Sequence, residues 1–351
     1  MTRADGLTRR QWGGAGLWLG TSLAMPALWA QPKPKLARAR IVMAVGGKTS
    51  ISYLPLTIAE QLGYFKAEGL DLEINDLGTG ARAAQAVVSG AADVCSGTFI
   101  RTIELQTKNQ LFQAFVMQAR TPQAALGVSV RNMPHYKAVL DLKGRKIGVE
   151  ALDTPSHLTA SLLLARFDMK PSDVTFVEVG STANAVSALR SGLIDAISHS
   201  DPVMTMLEQK GDVKIIADTR TLKGTIDVFG GPMPSACLYS SGEFIGKNPS
   251  TCQALANALV HALKWLQTAG PGDIIKTLPD AYLLGDRALY LASFEQLRES
   301  ISLDGLMPEN GPRTALRTLA NFNPDIKVDK IDLSKTFTNT FARRAKERFN
   351  A

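Results

Sequence analysis

Cysteine is nearly absent from this chain: 351 residues hold three, Cys95, Cys237 and Cys252, far apart. An odd number rules out a fully paired disulfide set, and none has the close spacing of a metal-binding pair. Cys95 and Cys237 fall in apolar, strand-like runs, so buried free thiols are expected, with pairing of two of them left open for an exported chain. Histidine is almost as scarce. His135, His157, His199 and His261 include no close-spaced pair, and a zinc site needs three or four converging ligands, so neither a metal nor another cofactor is expected. Gly47-Lys48-Thr49 imitates the end of a phosphate-binding loop but has Val42 where that motif needs its first glycine, which argues against nucleotide. The charge of +7 is spread along the chain, with no aromatic-interleaved basic stretch, so nucleic acid is not an expected partner. The densest basic run, Arg343, Arg344, Lys346 and Arg348, reads as the solvated face of a last helix rather than a contact with an anionic membrane. After residue 30 no apolar run reaches the roughly 18 residues of a membrane span. The length suits about two domains.

What is present begins with a segment unlike the rest. Residues 1–30 have a basic start, an apolar run from about Gly13 and a small residue at Ala30, the layout of an export signal. Arg9-Arg10, and the dilution of the apolar run by Gly13, Gly14, Gly16 and Gly20, resemble a twin-arginine signal; an ordinary secretory signal and an uncleaved anchor are the alternatives. Leu28 makes a cut after Ala30 a weak site. Without these residues the balance is 36 basic against 31 acidic, or +5.

The chain is organised around Ser52–Ile74. Pro55 suits a first helical turn, and Ile58, Ala59 and Leu62 follow at helical spacing. Gly63 ends that helix, and Tyr64 and Phe65 fold back on it. Leu70, Leu72 and Ile74 then alternate with polar residues as a half-buried strand. The same layout returns 102 residues later. GTGARAAQAVVSGAAD at 78–93 matches GSTANAVSALRSGLID at 180–195, and the offset extends upstream, with Val45-Gly46 on Ile147-Gly148 and Asp71 on Asp173. The repeat predicts two similar β-α-β-α-β lobes, each with a parallel sheet. Residues 119–142 are expected to cross between them, and Phe229–Leu238 to cross back. A long helix over 249–266 and further helices near 286–301, 312–321 and 334–348 complete the chain.

In open parallel sheets, ligands sit beyond the carboxyl ends of the strands, at helix entries. That rule selects Lys48, Thr49, Ser52, Tyr53, Thr79, Gly97 and Thr98 in the first lobe. In the second it selects Asp153, Thr154, Ser156, His157, Ser181, Thr182, His199 and Asp201. Most are hydroxyl or amide donors at helix starts, which suits anionic oxygens. Each has a plainer role as well: Thr154, Ser156, Ser181 and Asp201 as helix caps, Lys48 as a solvated lysine, Tyr53 as core.

Four stretches carry a family resemblance: 53–74, SGAADVCSGT at 89–98, DLKGRKIGVEALDTPSH at 141–157 and SALRSGLIDAISHSDP at 187–202. They resemble the solute-binding proteins of nitrate, sulfonate, taurine and thiamine-pyrimidine ABC transporters, over essentially the whole chain after residue 30. The resemblance implies a type II periplasmic binding protein fold, an α/β architecture of two Rossmann-like lobes joined by two crossing strands. Lobe one would comprise 36–122 plus 229–351 and lobe two 123–228. It also implies a periplasmic monomer, not an enzyme, that captures a small solute between the lobes and delivers it to a permease and ATPase at the inner membrane. An anionic solute (sulfonate, taurine, nitrate or carboxylate) is expected, with a thiamine-pyrimidine precursor as the alternative. The family also contains an enzyme, a eukaryotic thiamine-pyrimidine synthase marked by a CCCFC motif, which this chain lacks.

Overall fold

The structure, a computed structural model, describes residues 36–351 except 153, 181, 284 and 323–325. The expected export signal, Asp153 and Ser181 therefore lie outside the described residues, as does the Thr182 side chain. The first lobe opens with β1 (Arg40–Val45), α1 (Leu54–Gln61), α2 (Tyr64–Ala67), β2 (Asp71–Asp76), α3 (Gly80–Val88), β3 (Val94–Thr98), α4 (Ile100–Thr107) and β4 (Phe112–Met117). The second follows with β5 (Ala124–Ser129), β6 (Lys146–Val149), α5 (Pro155–Ala165), β7 (Thr175–Glu178), α6 (Thr182–Arg190), β8 (Ala196–Ser200), α7 (Val203–Gln209), β9 (Val213–Asp218) and α8 (Leu222–Phe229). The chain then returns through β10 (Ala236–Ser241) and ends in helices: α9 (Gly242–Lys247), α10 (Pro249–Thr268), α11 (Pro271–Thr277), α12 (Arg287–Leu297), α13 (Gly311–Phe322) and α14 (Thr340–Phe349).

Local chemistry accounts for the opening stretch. Pro55 lies in the first turn of α1, and Gly63, at φ 71°, supplies the left-handed residue that lets the chain turn into α2. In β2, Leu72 and Ile74 are half-buried between exposed Asp71, Glu73 and Asn75. The last helix starts at Thr340 rather than near 334, because Asp332 caps a separate 3-10 turn at Leu333–Lys335.

The strands form two five-stranded sheets, ordered β2-β1-β3-β10-β4 and β7-β6-β8-β5-β9. Neither is wholly parallel as expected: β10 runs antiparallel to β3 and β4, and β5 antiparallel to β8 and β9. Each is the strand that has just arrived from the other lobe. It enters at the end where its neighbours finish, so it must run against them. The first crossing is correspondingly short, residues 118–123, since β5 already lies inside the second sheet.

The repeat is present, with one correction. Met43 pairs with Ile74 and Val94, and Ile147 with Phe176 and Ala196. Thus β2/β7 and β3/β8 keep the 102-residue offset, while Met43 and Ile147 occupy equivalent places 104 apart. Val45 corresponds to Val149 and Gly46 to Glu150, not to Ile147 and Gly148. A strand pattern repeats every two residues, so a two-residue slip leaves the alternation unchanged and cannot be seen in it. The duplicated SG-x-x-D motif also acquires a reason. Asp93 Oδ2 accepts from Val42 N at 2.9 Å, and Asp195 Oδ2 from Lys146 N at 3.0 Å, so the two aspartates hold equivalent positions of β1 and β6.

Helix α10 is buried on most sides, with Cys252, Leu255, Leu259, Leu263 and Leu266 in the first-lobe core. A second core is continuous through both sheets, from Cys95, Phe99, Met117 and Tyr239 to Leu126, Ile147 and Ala196. All three cysteines are buried and unpaired, and burial pushes the Cys95 and Cys252 thiols up to about 12. Among the described residues, no helix is long and apolar enough to cross a membrane, and no group of three or more His, Cys, Asp or Glu side chains is placed to hold a metal ion.

On the outer side of α10, His261 is sandwiched between Tyr64, at a ring separation of 3.8 Å, and Phe349, at 4.6 Å. Burial lowers its pKa; Glu68 opposes that, while Arg348 and Lys264 add to it. A histidine held neutral in the fold takes up its proton in the unfolded chain first. Its stabilisation is therefore present above the unfolded pKa of about 6.5 and is lost as pH falls through the lower folded value. Between pH 7.5 and 5.5 the melting temperature of the wild type should fall more than that of His261→Phe. Equal slopes would show that the stack does not sense protonation.

Candidate functional site

The loop after β1 is built by its neighbours. A β-carbon on Gly46 would lie 2.2 Å from the backbone carbon of Thr79, so only glycine lets the entry to α3 pack here. Asp76, at the end of β2, accepts from Gly47 N and Lys48 N at 2.8 Å and from Gly78 N at 2.9 Å. Burial alone would raise its carboxyl, but these N–H groups and Lys48 outweigh it and hold it below the usual range. Glu178 plays the corresponding part in the second lobe, accepting from Leu152 N at 2.8 Å. The amides that could cradle an anion at this point are thus already engaged by the protein's own carboxylates.

The predicted site residues separate into groups. Lys48 Nζ is 2.5 Å from Glu60 Oε2 on α1, so the cation is neutralised within its own lobe. Thr49 is exposed at the loop's rim. Ser52 donates to Gln123 Oε1 at 2.7 Å. Tyr53 is buried, and its hydroxyl pKa is pushed well up, first by burial and then by Cys95, Cys237 and the second lobe's Glu150, with Arg101 opposing. Thr79 caps α3 through Arg82 N at 3.3 Å. Gly97 lies under Tyr239, whose ring would be 3.0 Å from any added β-carbon. Thr98, at the end of β3, faces the second lobe across a small cavity.

In the second lobe, Thr154 turns back to Ala151 O at 2.6 Å rather than capping α5, and touches Ser156 Oγ at 2.8 Å. Ser156 accepts from Glu150 N at 3.2 Å. His157 packs edge-on against Phe176. His199 is buried, with Nε2 at 2.9 Å from Gly180 O and Nδ1 at 3.1 Å from Ser200 O, and so braces the loop into α6. Asp201 stands one residue before Pro202, the N-cap of α7, accepts from Thr205 N in its first turn at 2.8 Å, and faces Arg220 Nη1 at 3.6 Å. Burial raises the Asp201 pKa, while Arg220 and Thr205 lower it.

Four residues that sequence reasoning passed over matter here. Arg101, at the start of α4, pairs with Glu104 at 2.6 Å and opposes the rise in the Tyr53 pKa. Glu150 brings an opposing carboxylate from the second lobe. Gln123 holds the first crossing, and Arg220 gathers three carboxylates of the second lobe. None has a local signature, although Arg101 and Glu150 occupy strand-end positions the same rule covers. Between the lobes, Thr98, Ile100, Pro122, Pro155, Leu158 and Met233 surround a cavity of about 20 Å³, room for about one water. A larger hollow of about 570 Å³ lies between α10, α12 and Thr221, away from the strand ends.

The comparisons with known proteins agree with this architecture. A protein of Bordetella bronchiseptica RB50 is 52% identical, aligned over 90% of this chain and 100% of its own, with a TM-score of 0.84. The alkanesulfonate-binding protein SsuA of Xanthomonas axonopodis pv. citri, bound to MOPS, has a TM-score of 0.67 at 17% identity over 86% of this chain and 99% of its own. The periplasmic nitrate-binding protein NrtA of Synechocystis PCC 6803 has 0.64 at 14% over 88% and 89%. These last two share the fold alone. The family described as NMT1/THI5 like matches residues 50–269, and on that match, carried by the two-lobed fold of periplasmic binding proteins, the chain belongs to the NMT1/THI5-like family.

Proposed function

We propose that this chain is the extracytoplasmic solute-binding component of an ABC importer. It takes a small solute between lobe one (36–122 and 229–351) and lobe two (123–228) and passes it, as a periplasmic monomer, to an inner-membrane permease and ATPase. The observation that carries this reading is the meeting of the two lobes at their strand ends and helix entries, where Thr98 and Ile100 of the first lobe share a cavity with Pro155 and Leu158 of the second. Closure of two lobes on a solute follows from such an arrangement. The hydroxyls of Thr49 and Thr98 supply donors for an anionic group such as a sulfonate, nitrate or carboxylate, joined by the Ser52 hydroxyl and the Arg101 guanidinium where the solute draws them from Gln123 and Glu104. The apolar wall of Ile100, Pro155, Leu158 and Met233 accommodates a hydrocarbon part. A few charge-assisted hydrogen bonds at about 1.5–3 kcal/mol each, together with the apolar contact, would reach the roughly −8 kcal/mol of micromolar affinity.

An enzymatic role is disfavoured by the same residues. Both ring nitrogens of His199 lie against backbone carbonyls, and the three cysteines are buried with no exposed thiol among them. A thermal-shift screen against taurine, alkanesulfonates, nitrate, aromatic carboxylates and thiamine pyrimidines tests the solute class. A ligand at 100 times its Kd adds about 2.7 kcal/mol, so at least one anion should raise the melting temperature clearly. A shift with a neutral pyrimidine and with no anion would transfer the assignment to the pyrimidine-precursor reading.

A further inference from the structure

We infer that Gln123 is a positioning residue, a buried bolt that ties the first-lobe wall of the cleft to both sides of the hinge. Gln123 is 1% exposed and lies in the short first crossing. Its Oε1 accepts from Ser52 in the loop leading into α1, at 2.7 Å. Its Nε2 donates to Ser300 Oγ at 2.6 Å, and its backbone N–H donates to Thr219 O at 3.2 Å, where the chain leaves β9. One side chain and its amide thus touch the first lobe, the C-terminal segment and the second lobe.

The 3-10 turn Arg298–Ser300 completes the device. Glu299 Oε1 accepts from Leu222 N at the start of α8, and Glu299 O accepts from Arg120 Nε, both at 2.8 Å. Ser300 in turn donates to Leu297 O at 2.5 Å. The turn therefore bonds to the outgoing crossing through Arg120 and Gln123 and to the second lobe through Leu222 at the start of α8, so the hinge has an element besides its two crossing segments.

The backbone of Gln123 shows that the side chain is what the position requires. Its φ is +60°, a conformation that disfavours any residue with a β-carbon and is ordinarily taken by glycine or asparagine. Glycine would relieve the backbone, while asparagine is a methylene too short to keep both side-chain contacts. The glutamine is retained against local preference, as expected where two fixed partners must be reached. Because Ser52 is also one of the proposed solute donors, a solute that draws its hydroxyl away would loosen the bolt. That last step rests on the binding reading; the bolt itself does not.

The test uses protein without added solute, so its failure and that of the binding reading are distinguishable. Spin labels on Lys108→Cys at the end of α4 and Lys210→Cys at the end of α7 report the interlobe distance. Both positions are exposed, and the three native cysteines are buried. Gln123→Gly should melt within about 4 °C of the wild type, yet show a broader or displaced distance distribution, and Ser300→Ala should shift it in the same direction. Gln123→Glu, which keeps the acceptor for Ser52 and loses the donor to Ser300, should fall between. A folded Gln123→Gly whose distribution superimposes on the wild type overturns the proposal. If Gln123→Gly does not fold, Ser52→Ala and Ser300→Ala, each losing one hydroxyl, decide it: a shift in either supports the bolt, and wild-type distributions in both overturn it.

Discussion

Arg220→Met is expected to destabilise the protein by about 3–5 kcal/mol at neutral pH, because it leaves a buried carboxylate without its counter-charge. The Arg220 side chain is fully buried. It donates to both oxygens of Asp218 at 2.8 Å and to Glu208 Oε2 at 3.0 Å, and faces Asp201 at 3.6 Å. Asp218 and Glu208 are partly exposed and can regain water, but the Asp201 side chain is 0% exposed. Asp201 therefore sets the cost. Its pKa is already raised by burial and is restrained by Arg220; without the arginine it rises further. A carboxyl raised in the fold is penalised once the unfolded chain ionises near pH 3.9, and the penalty grows until the folded group also ionises. The deficit of Arg220→Met should thus be largest at pH 7 and shrink towards pH 4.5 in urea titrations. Arg220→Met with Asp201→Asn should recover part of it. A deficit equal at both pH values would show that lost packing, not the stranded carboxylate, is responsible.

Gly46→Ala should damage both the fold and solute capture. The added methyl would meet backbone atoms, Thr79 C at 2.2 Å, Gly80 N at 2.3 Å and Thr79 O at 2.5 Å, and backbone cannot rotate aside as a side chain can. Overpacking of this kind costs about 1–3 kcal/mol and sometimes more. The displaced segment is held by Asp76, so Gly47 and Lys48 move with it and Ser52 loses its aim at Gln123. Affinity for whichever anion gives the strongest thermal shift should fall at least about tenfold, equivalent to roughly 1.4 kcal/mol. Gly246→Ala is the control. It lies in α9 with no atom within 4 Å of an added β-carbon, so it should be neutral or stabilising by up to about 1 kcal/mol. Wild-type affinity in Gly46→Ala would place the solute away from the β1 loop.

Much of the site's scaffold was legible in the sequence. Thr79 caps α3, Asp201 bonds to the first turn of α7 from just before its cap Pro202, and the loops at Ser52, Thr98, Thr154 and His199 all stand at strand ends or helix entries. Their roles were less so. Lys48 read as an anion donor or a solvated lysine and is instead paired to Glu60, a partner twelve residues on that depends on how α1 leaves its 3-10 turn. Thr154 sits at a cap position without capping. Arg220 and Gln123 look unremarkable in the sequence, yet Arg220 gathers three carboxylates of its own lobe and Gln123 reaches Ser52 and Ser300 in distant segments.

The division follows the range of the interactions. Local periodicity and helix ends are properties of neighbouring residues, and with the repeated pattern at 102 residues they determined two α/β lobes, the parallel strands of each and the long helix α10. Only the tertiary structure decided the two-residue slip that sets Gly46 against Glu150, the antiparallel strands β5 and β10, the charge cluster around Arg220 and the bolt at Gln123. Each depends on which segments meet once the lobes have packed and the chain has passed between them, and hydrophobic alternation, blind to shifts of two, carries no record of that.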